Sequence, residues 1–146
     1  MPFNCVYGQS DLVAAWVAEK IDGCGLGFGE CQAIGVYGKG ELAAGVVFHN
    51  WSPECGTIEA SCAAITPRWA TRKILTELMH YPFSELRCRI VVARTAENNT
   101  RALKIWRALG ATEHKLPDLR CEGMGEIVSL LKKEAWQKSR LYDGQR

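Results

Sequence analysis

The sequence has little net charge and no long apolar run. Its 146 residues include 18 lysines and arginines against 16 aspartates and glutamates, a formal charge of +2. So small an excess argues against a protein that binds nucleic acid through bulk positive charge. No apolar stretch approaches the ~20 residues that span a bilayer, and the first residues lack the basic and then apolar pattern of a secretory signal. These absences favour a soluble, intracellular protein with neither nucleic-acid nor membrane partners.

The sequence also lacks a C-x-x-C pair, internal repeats and low-complexity segments. Its seven cysteines are an odd number. Without a visible secretory signal, reduced thiols are the better expectation than a disulfide framework. The three histidines, at positions 49, 80 and 114, are scattered along the chain. We therefore expect the cysteines to act as small buried hydrophobic residues and expect no metal site.

The composition is that of an ordinary globular protein. Hydrophobic residues make up 47% and charged residues 23% of the chain. This is enough apolar material for one core, and the length is about that of one domain. No linker divides the chain, so we expect residues 1–146 to form a single domain with a charged C-terminal tail over 132–146.

The first half of the chain predicts one helix and an antiparallel meander. Ser10 is expected to cap a helix that runs to about Ile21, after a short strand at 3–7. The glycine-rich segment 23–29 follows a helix and lacks G-K-S/T, so a plain connection is favoured over a phosphate-binding loop. Three β-rich runs joined by short turns then predict consecutive antiparallel strands over 31–37, 41–51 and 57–65.

The second half alternates helices and strands. After Pro67, a helix is predicted to run towards His80 and to be closed by the Pro82-Phe83 pair. A buried strand over 89–93 precedes a helix capped by Asn98 or Asn99 and stopped by Gly110. The chain is then expected to end with a pair of strands over 112–116 and 126–131 and a partly helical tail.

This order of elements predicts an α/β fold with a mixed, mostly antiparallel sheet. The strand–helix–strand unit from Thr57 to Ala93 introduces one parallel pair into an otherwise antiparallel sheet. Ligands favour the point where such a sheet changes direction.

Three pieces of the region 56–111 resemble the GNAT superfamily of acyl-CoA-dependent N-acetyltransferases. The first is the strand 59–67, which contains a carboxylate and leads through a basic loop into a helix. The second is Tyr81-Pro82-Phe83 with Leu86 and Arg89-Ile90, and the third is Asn99-x-x-Ala102-x-x-x-Trp106-x-x-Leu109-Gly110-Ala111. The second piece is most similar to the branch that acetylates ribosomal-protein N-termini and some antibiotics. The whole chain also resembles small acetyltransferase-like proteins of bacteriophages and prophages.

The resemblance implies a fold, a donor and a class of acceptor. The fold is a mixed sheet with a splayed central strand pair, flanked by helices. The donor is acetyl-CoA, and the acceptor is an amine-bearing small molecule or peptide. The resemblance also implies a cytoplasmic protein of a bacterial or phage-infected cell, and a homodimer is compatible with the family.

In this family the pyrophosphate of the cofactor rests on backbone N–H groups at the start of the central helix, where the helix dipole favours an anion. The family's loop pattern, Q/R-x-x-G-x-G/A, falls on residues 70–75, where Lys73 and Leu75 replace the small residues. The pantetheine arm of the cofactor pairs with the backbone of the preceding strand. By resemblance, the cofactor-binding residues are Ala63, Ala64, Ile65, Arg68, Thr71, Arg72, Lys73, Asn99 and Trp106.

Simpler interpretations of the same residues stay open. The basic cluster 68–73 is also what a solvated helix start looks like. Asn99 fits a helix cap, and Trp106 shares an apolar stripe with Leu103 and Leu109, which favours core packing.

Glu59 is the leading catalytic candidate. An amine is protonated at neutral pH and must lose a proton before it attacks a thioester, and a carboxylate in the cleft can accept that proton. By resemblance, Glu59 lies where the histone-acetylating branch places its general base; the alternative is a carboxylate at an exposed strand edge. His49 is an auxiliary-base candidate. Trp106 stands where many relatives have a tyrosine that protonates the leaving thiolate.

Two functions follow from these patterns. The first is an acetyl-CoA-dependent N-acetyltransferase in which the amine attacks the thioester directly. The second is a non-catalytic binding or interaction module that keeps the fold with an altered cofactor loop.

Overall fold

A computed structural model describes residues 2–21 and 23–144 of the chain. Its strands are β1 (Asn4–Val6), β2 (Cys31–Gly38), β3 (Glu41–Ser52), β4 (Thr57–Ala64), β5 (Ile90–Ala96), β6 (Thr112–Cys121) and β7 (Met124–Lys132). Its helices are α1 (Ser10–Lys20), α2 (Arg72–His80), α3 (Thr100–Leu109) and α4 (Lys133–Lys138). None of these helices is long and apolar enough to cross a membrane.

The seven strands form one sheet in the order β1-β2-β3-β4-β5-β7-β6. The pairing of β4 with β5 is parallel, and the other pairings in the described residues are antiparallel. The parallel pair arises because α2 carries the chain from β4 back to the start of β5, as a crossover connection must. The predicted mixed, mostly antiparallel sheet is therefore confirmed.

The central strands β4 and β5 separate after three paired residues. Their register runs from Thr57↔Ile90 to Glu59↔Val92. Beyond that point β4 stays paired with β3 as far as Ala64, whereas β5 continues on β7. Among the described residues, Ala60–Ala64 therefore has no β5 partner. This gap confirms the splayed central pair that the resemblance implied.

The two faces of the sheet carry two apolar clusters. The larger lies on the side of α2 and α3 and includes Ile58 and Ala60 of β4. The smaller joins α1 to β2 and β3 and is made of Val13, Val17, Ala33 and Val47. Since side chains alternate along a strand, Glu59 and Ser61 lie on the α1 face of β4.

The predicted hairpin between β2 and β3 is confirmed. Lys39 and Gly40 both have positive φ, 58° and 79°, as the tight turns of two-residue hairpins require.

Ser10 does not cap α1 as predicted. The N-cap is Gln9, which makes no capping side-chain hydrogen bond. The hydroxyl of Ser10 instead accepts the backbone N–H of Ala33 at 3.0 Å. Ser10 therefore ties the start of α1 to β2, a long-range contact that local sequence patterns do not reveal.

The second helix ends at His80, as predicted, but the Pro82-Phe83 pair does not close it. After His80 the chain continues into a wider helical turn over Tyr81–Glu85. Proline is tolerated there because it stands in the first positions of the new turn, where its missing N–H is not needed. The turn is closed by the N–H of Leu86, which donates to the carbonyl of Tyr81 at 3.0 Å.

The ends of α3 agree with the prediction. The side chain of Asn99 accepts the N–H of Ala102 at 3.2 Å, and Gly110 ends the helix with a φ of 106°. The strands that follow are longer than predicted, because β6 extends to Cys121 and β7 begins at Met124. Most of β6 is exposed, so its residues lack the alternating apolar pattern that reveals a half-buried strand.

Candidate functional site

Two adjoining cavities open where β4 and β5 separate. The larger has a volume of about 1090 Å³ and runs between β4, the start of α2 and α3. The smaller, of about 380 Å³, lies beside it on the α1 face of the sheet. Both are lined by Cys62, Ala96, Asn99, Ala102 and Arg120. The two cavities therefore form one cleft with a wide and a narrow part.

Three of the residues predicted to bind a cofactor line the wide part of the cleft. They are Ala63, Ala64 and Asn99. Near α2, the wall consists instead of Pro67, Trp69, Ala70 and Leu75. Five other predicted residues are absent from the lining: Ile65, Arg68, Thr71, Arg72 and Lys73.

Two groups in the first turn of α2 are engaged by the protein itself. The hydroxyl of Thr71 accepts the N–H of Ile74 at 3.2 Å, as an N-cap does. The guanidinium of Arg72 donates to the carbonyl of Tyr142 at 3.0 Å. Leu75 is 3% exposed and belongs to the core. Arg68 and Lys73, which are close to this turn in sequence, are exposed to water.

Asn99 and Trp106 fit their simpler interpretations, a helix cap and a core residue, and both also border the cleft. Asn99 caps α3 and also borders both parts of the cleft. Trp106 is only 4% exposed and packs in the larger core cluster. One side of Trp106 nevertheless lines the narrow part. Neither contact excludes a ligand beside it.

Glu59 and His49 meet in the narrow part. They are directly opposite in the register of β3 and β4, and His49 Nε2 lies 3.6 Å from Glu59 Oε2. Asn50 Nδ2 donates to Glu59 Oε1 at 3.3 Å. Asn50 has a positive φ of 52° and lies in an irregularity of the β3–β4 register, a feature that redirects side chains. The carboxylate is thus held from two sides.

His49 is a buried and neutral side chain in this arrangement. It is 7% exposed, and burial lowers its pKa, although the charge of Glu59 acts in the opposite direction. Its Nε2 also lies 2.9 Å from Ser61 Oγ. Since Glu59 and Ser61 share the same ring nitrogen, the three residues do not form a serine–histidine–carboxylate relay, in which the two partners use different nitrogens.

A second carboxylate, Glu126, lies deeper in the narrow part. Its side chain is 1% exposed and accepts hydrogen bonds from Arg94 Nε at 3.2 Å, Arg94 Nη2 at 2.8 Å and Arg120 Nη1 at 3.0 Å. Burial alone would raise the pKa of Glu126, but the two guanidiniums outweigh that effect and lower it. Glu126 is therefore ionised and binds both arginines.

Sequence reasoning did not single out Glu126, Arg94 or Arg120. Glu126 was placed at the start of a predicted strand, and Arg94 follows the apolar run 90–93. A charged residue bordering an apolar strand is a weak signal of a buried ion pair. The pairing itself depends on contacts across three strands.

The glycine-rich segment 23–29 forms part of the roof of the narrow cavity. Cys24, Gly27 and Phe28 line it, and the Phe28 ring lies 4.9 Å from that of His49. Burial raises the pKa of the Cys24 thiol, the charges of Arg120 and Arg94 lower it, and that of Glu59 raises it. The Cys24 thiol is therefore close enough to both the arginines and Glu59 to be affected by their charges. The segment is a connection, as expected, and it also shapes the site.

The sequence matches no protein-family model, and no curated protein sequence is similar to it. Solved structures are similar in fold. Mutant forms of the spermidine/spermine N-acetyltransferase SpeG from Vibrio cholerae superpose with a TM-score of 0.69 at 9% identity, over 92% of this chain and 97% of that chain.

Two further structures match at TM-scores of 0.60. The ribosomal-protein-S5-alanine acetyltransferase from Vibrio fischeri is 12% identical, over 73% of this chain and 63% of that chain. A candidate acetyltransferase from T. thermophilus is 20% identical, over 74% of this chain and 62% of that chain. The chain thus spans less than two thirds of the length of these two proteins. At such identities the likeness concerns the fold, and the chain has the fold of the GNAT acetyltransferases.

Proposed function

We propose that the protein is an acetyl-CoA-dependent N-acetyltransferase. One observation carries the proposal: the gap between β4 and β5 opens a long cleft that ends beside a held carboxylate, Glu59. A thin ligand can lie along the edge of β4 that faces the gap, at Ala60–Ala64, and its reactive end then reaches the narrow part. The fold shared with known acetyltransferases supports the same conclusion.

The residues of the cleft fit an acyl-CoA unevenly. Ala63 and Ala64 leave room along the β4 edge, where small side chains suit a pantetheine arm. Near α2, Leu75 occupies part of the wall. We infer that Arg68 and Lys73, which are exposed, hold the phosphates together with the start of α2. When bound, the thioester supplies an acetyl group attached to a good leaving group.

Glu59 is proposed as the general base. The acceptor enters as an ammonium ion, and Glu59 takes one of its protons, directly or through a water molecule. The nitrogen would then bond to the acetyl carbon while the carbon–sulfur bond breaks and its electron pair leaves with the sulfur. The new amide nitrogen would release its second proton to water. His49 is proposed to position Glu59 through their 3.6 Å contact, since it is neutral and shares its nitrogen with Ser61.

Trp106 does not supply the proton for the leaving sulfur, because an indole N–H is not a useful acid. A CoA thiolate is a tolerable leaving group, so turnover does not require a side-chain acid at that position. We propose that the thiolate leaves unprotonated or takes a proton from water.

The first test of the proposal is whether the protein binds acetyl-CoA, and the second is whether it transfers the acetyl group. A ligand that binds only the folded state at a hundredfold excess over its Kd stabilises that state by about 2.7 kcal/mol. We expect acetyl-CoA and CoA to raise the thermal midpoint by several degrees. Ala102→Trp, which narrows both parts of the cleft, should remove the shift. Ala15→Trp, on the exposed face of α1, should keep it. No shift at millimolar acetyl-CoA contradicts the proposal.

A non-catalytic binding module is the second candidate. The observation in its favour is at α2, where buried Leu75 and exposed Lys73 replace the small residues of the family pattern. In that case acetyl-CoA leaves the thermal midpoint unchanged, and Glu59→Gln leaves binding to a protein partner unchanged. Pull-down with wild type and Glu59→Gln, beside the midpoint measurement, separates the two functions.

We also propose that residues 1–146 act as one domain. Acetyl-CoA would be available to it in the cytoplasm of a bacterial or phage-infected cell. A homodimer is compatible with the proposal, and sedimentation at micromolar concentration tests it.

A further inference from the structure

The proposed reaction does not use the ion cluster formed by Glu126, Arg94 and Arg120. A carboxylate that is 1% exposed is costly to bury unless cations pair with it. The fold meets that cost by bringing two guanidiniums to one wall of the narrow cavity. Glu59 lines the same cavity. Charges of both signs therefore face a single small space.

Arg94 has hydrogen-bonding capacity left for a ligand. Its Nε and Nη2 donate to Glu126, whereas Nη1 has no partner among the residues that the structure describes. The side chain is 49% exposed and lines the cavity. A ligand can therefore accept a hydrogen bond from Arg94 while Glu126 keeps its own.

Arg94 and Glu59 lie close together on the same face of the sheet. Glu59 pairs with Val92, and Arg94 is two residues further along β5. In a continuous ladder, a strand spacing of ~4.8 Å and a rise of ~3.3 Å per residue would place their Cα atoms about 8 Å apart. The separation of β4 and β5 beyond Glu59 makes the distance larger than this. Both side chains line the space between them. Groups bound by the two residues would then be separated by a few covalent bonds.

We propose, on the basis of the transferase function above, that the acceptor is a free amino acid. Its amine would lie beside Glu59, and its carboxylate would accept hydrogen bonds from Arg94. The cavity of about 380 Å³ is at the small end of ligand pockets, which are roughly 300–1,000 Å³. A purely cationic amine would instead bring a like charge towards the guanidinium, which is unfavourable at this distance.

Matched pairs of acceptors test the proposal. Each pair is an amino acid and the amine left when its carboxylate is removed: ornithine and putrescine, histidine and histamine, phenylalanine and phenethylamine. CoA release from acetyl-CoA is followed for each. We expect kcat/KM to be at least about tenfold higher for the amino acid in one pair or more, since a charge-assisted hydrogen bond to a carboxylate is worth that factor.

Variants locate the preference. Arg94→Gln should lower the ratio of kcat/KM for the amino acid to kcat/KM for the matched amine by about tenfold. Arg107→Gln is the matched control, because Arg107 also holds a carboxylate, Glu113, with two hydrogen bonds but lies on the surface. It should leave the ratio unchanged. Since Arg94 also holds Glu126, the thermal midpoint of each variant is measured, and Arg94→Lys keeps the cation if Arg94→Gln does not fold.

Calorimetric titration with CoA separates this inference from the proposed function. A preference that is lost in Arg94→Gln or reduced in Arg94→Lys, and retained in Arg107→Gln, supports the inference. Two outcomes overturn the inference alone, provided that CoA binds. The first is an equal kcat/KM for the amino acid and the amine in every pair, and the second is no turnover of any amino acid. No CoA binding overturns the proposed function, and the inference fails with it.

Discussion

At the Glu59 end of the cleft, two polar side chains are buried and held by their neighbours, whereas at the α2 end the charged side chains are exposed to water. His49 and Glu126 are 7% and 1% exposed. Arg68 and Lys73 are exposed, and the buried residue beside them is apolar Leu75. The first end has charge held by hydrogen bonds, and the second has solvent-exposed charge beside an apolar wall.

This difference determines what each end of the cleft can contribute to function. Buried charges in a low dielectric interact strongly and cannot move without cost, which suits chemistry that needs a defined geometry. Exposed charges are screened by salt and contribute little each, which suits loose attraction of an anion. We therefore expect substitutions of the two carboxylates at the first end, Glu59 and Glu126, to have large effects and substitutions at the second end to have small ones.

The largest effect is expected from Glu59→Gln. The amide keeps the size of the side chain but cannot accept the acceptor's proton, so kcat should fall by roughly 10²–10⁴-fold. The thermal midpoint should stay near that of wild type. CoA release measures the rate, and Glu54→Gln, in the exposed turn after β3, should be as active as wild type. A rate within about threefold of wild type would exclude Glu59 as the base.

Glu126→Gln should have the next largest effect, on stability. It removes the charge that two guanidiniums share, and we expect a loss of about 2–3 kcal/mol in the free energy of unfolding, reduced from the fully buried case because Arg94 is half exposed. Urea denaturation measures this loss. Glu113→Gln, which breaks the exposed pair with Arg107, should leave stability near wild type.

The stability of Glu126→Gln should also differ from that of wild type in its pH dependence. The arginines lower the pKa of Glu126 in the folded state. As the pH falls, the Glu126 carboxylate is therefore protonated first in the unfolded chain. Native stability from this group is present at neutral pH and is lost on acidification through the folded pKa. Wild type should therefore lose more stability in acid than Glu126→Gln. An equal loss in both proteins would contradict the assigned direction.

The fold could be predicted from sequence because its signals are local. Strand-like runs, helical periods and turn glycines indicated the order of elements, and the switch after Pro67 indicated the single parallel pair. The errors were also local in kind. Ser10 resembles an N-cap but bonds Ala33, and Pro82 resembles a helix end but lies in a wider turn. Tertiary contacts override both patterns.

The candidate site could be predicted only in part. Glu59 and His49 were each singled out, but their contact depends on the β3–β4 register. Glu126 and its arginines come from β5, β6 and β7, and no short motif links them. Residues that meet only across strands leave little trace in a single sequence. Motif residues at the start of a helix, in contrast, can be recognised from their spacing.

A smaller effect is expected at the α2 end, where salt should weaken cofactor binding. Exposed cations act over a Debye length of about 10 Å at 0.1 M salt. Lys73→Gln should raise the Kd for acetyl-CoA by roughly threefold at low salt and flatten its salt dependence. Calorimetry measures both. Lys39→Gln, in the β2–β3 hairpin, is the matched control and should behave as wild type. A salt-independent Kd would indicate that exposed charge does not hold the phosphates.

The smallest effect is expected from His49, and it concerns pH. Burial lowers its pKa in the folded protein, with Glu59 opposing. The unfolded chain therefore binds the proton first as the pH falls below the ordinary histidine pKa, and folding loses stability in that range. Urea denaturation at about pH 7.5 and about pH 5.5, on either side of that pKa, should show a larger loss in wild type than in His49→Gln. His114→Gln, which alters an exposed histidine, should lose as much as wild type.

The opposite result, greater stability at the lower pH that His49→Gln abolishes, would mean that the attraction of Glu59 outweighs burial and that His49 is charged beside it. In that case His49 would pair with the carboxylate as a cation, and Glu59 would be a weaker base than the proposed mechanism requires.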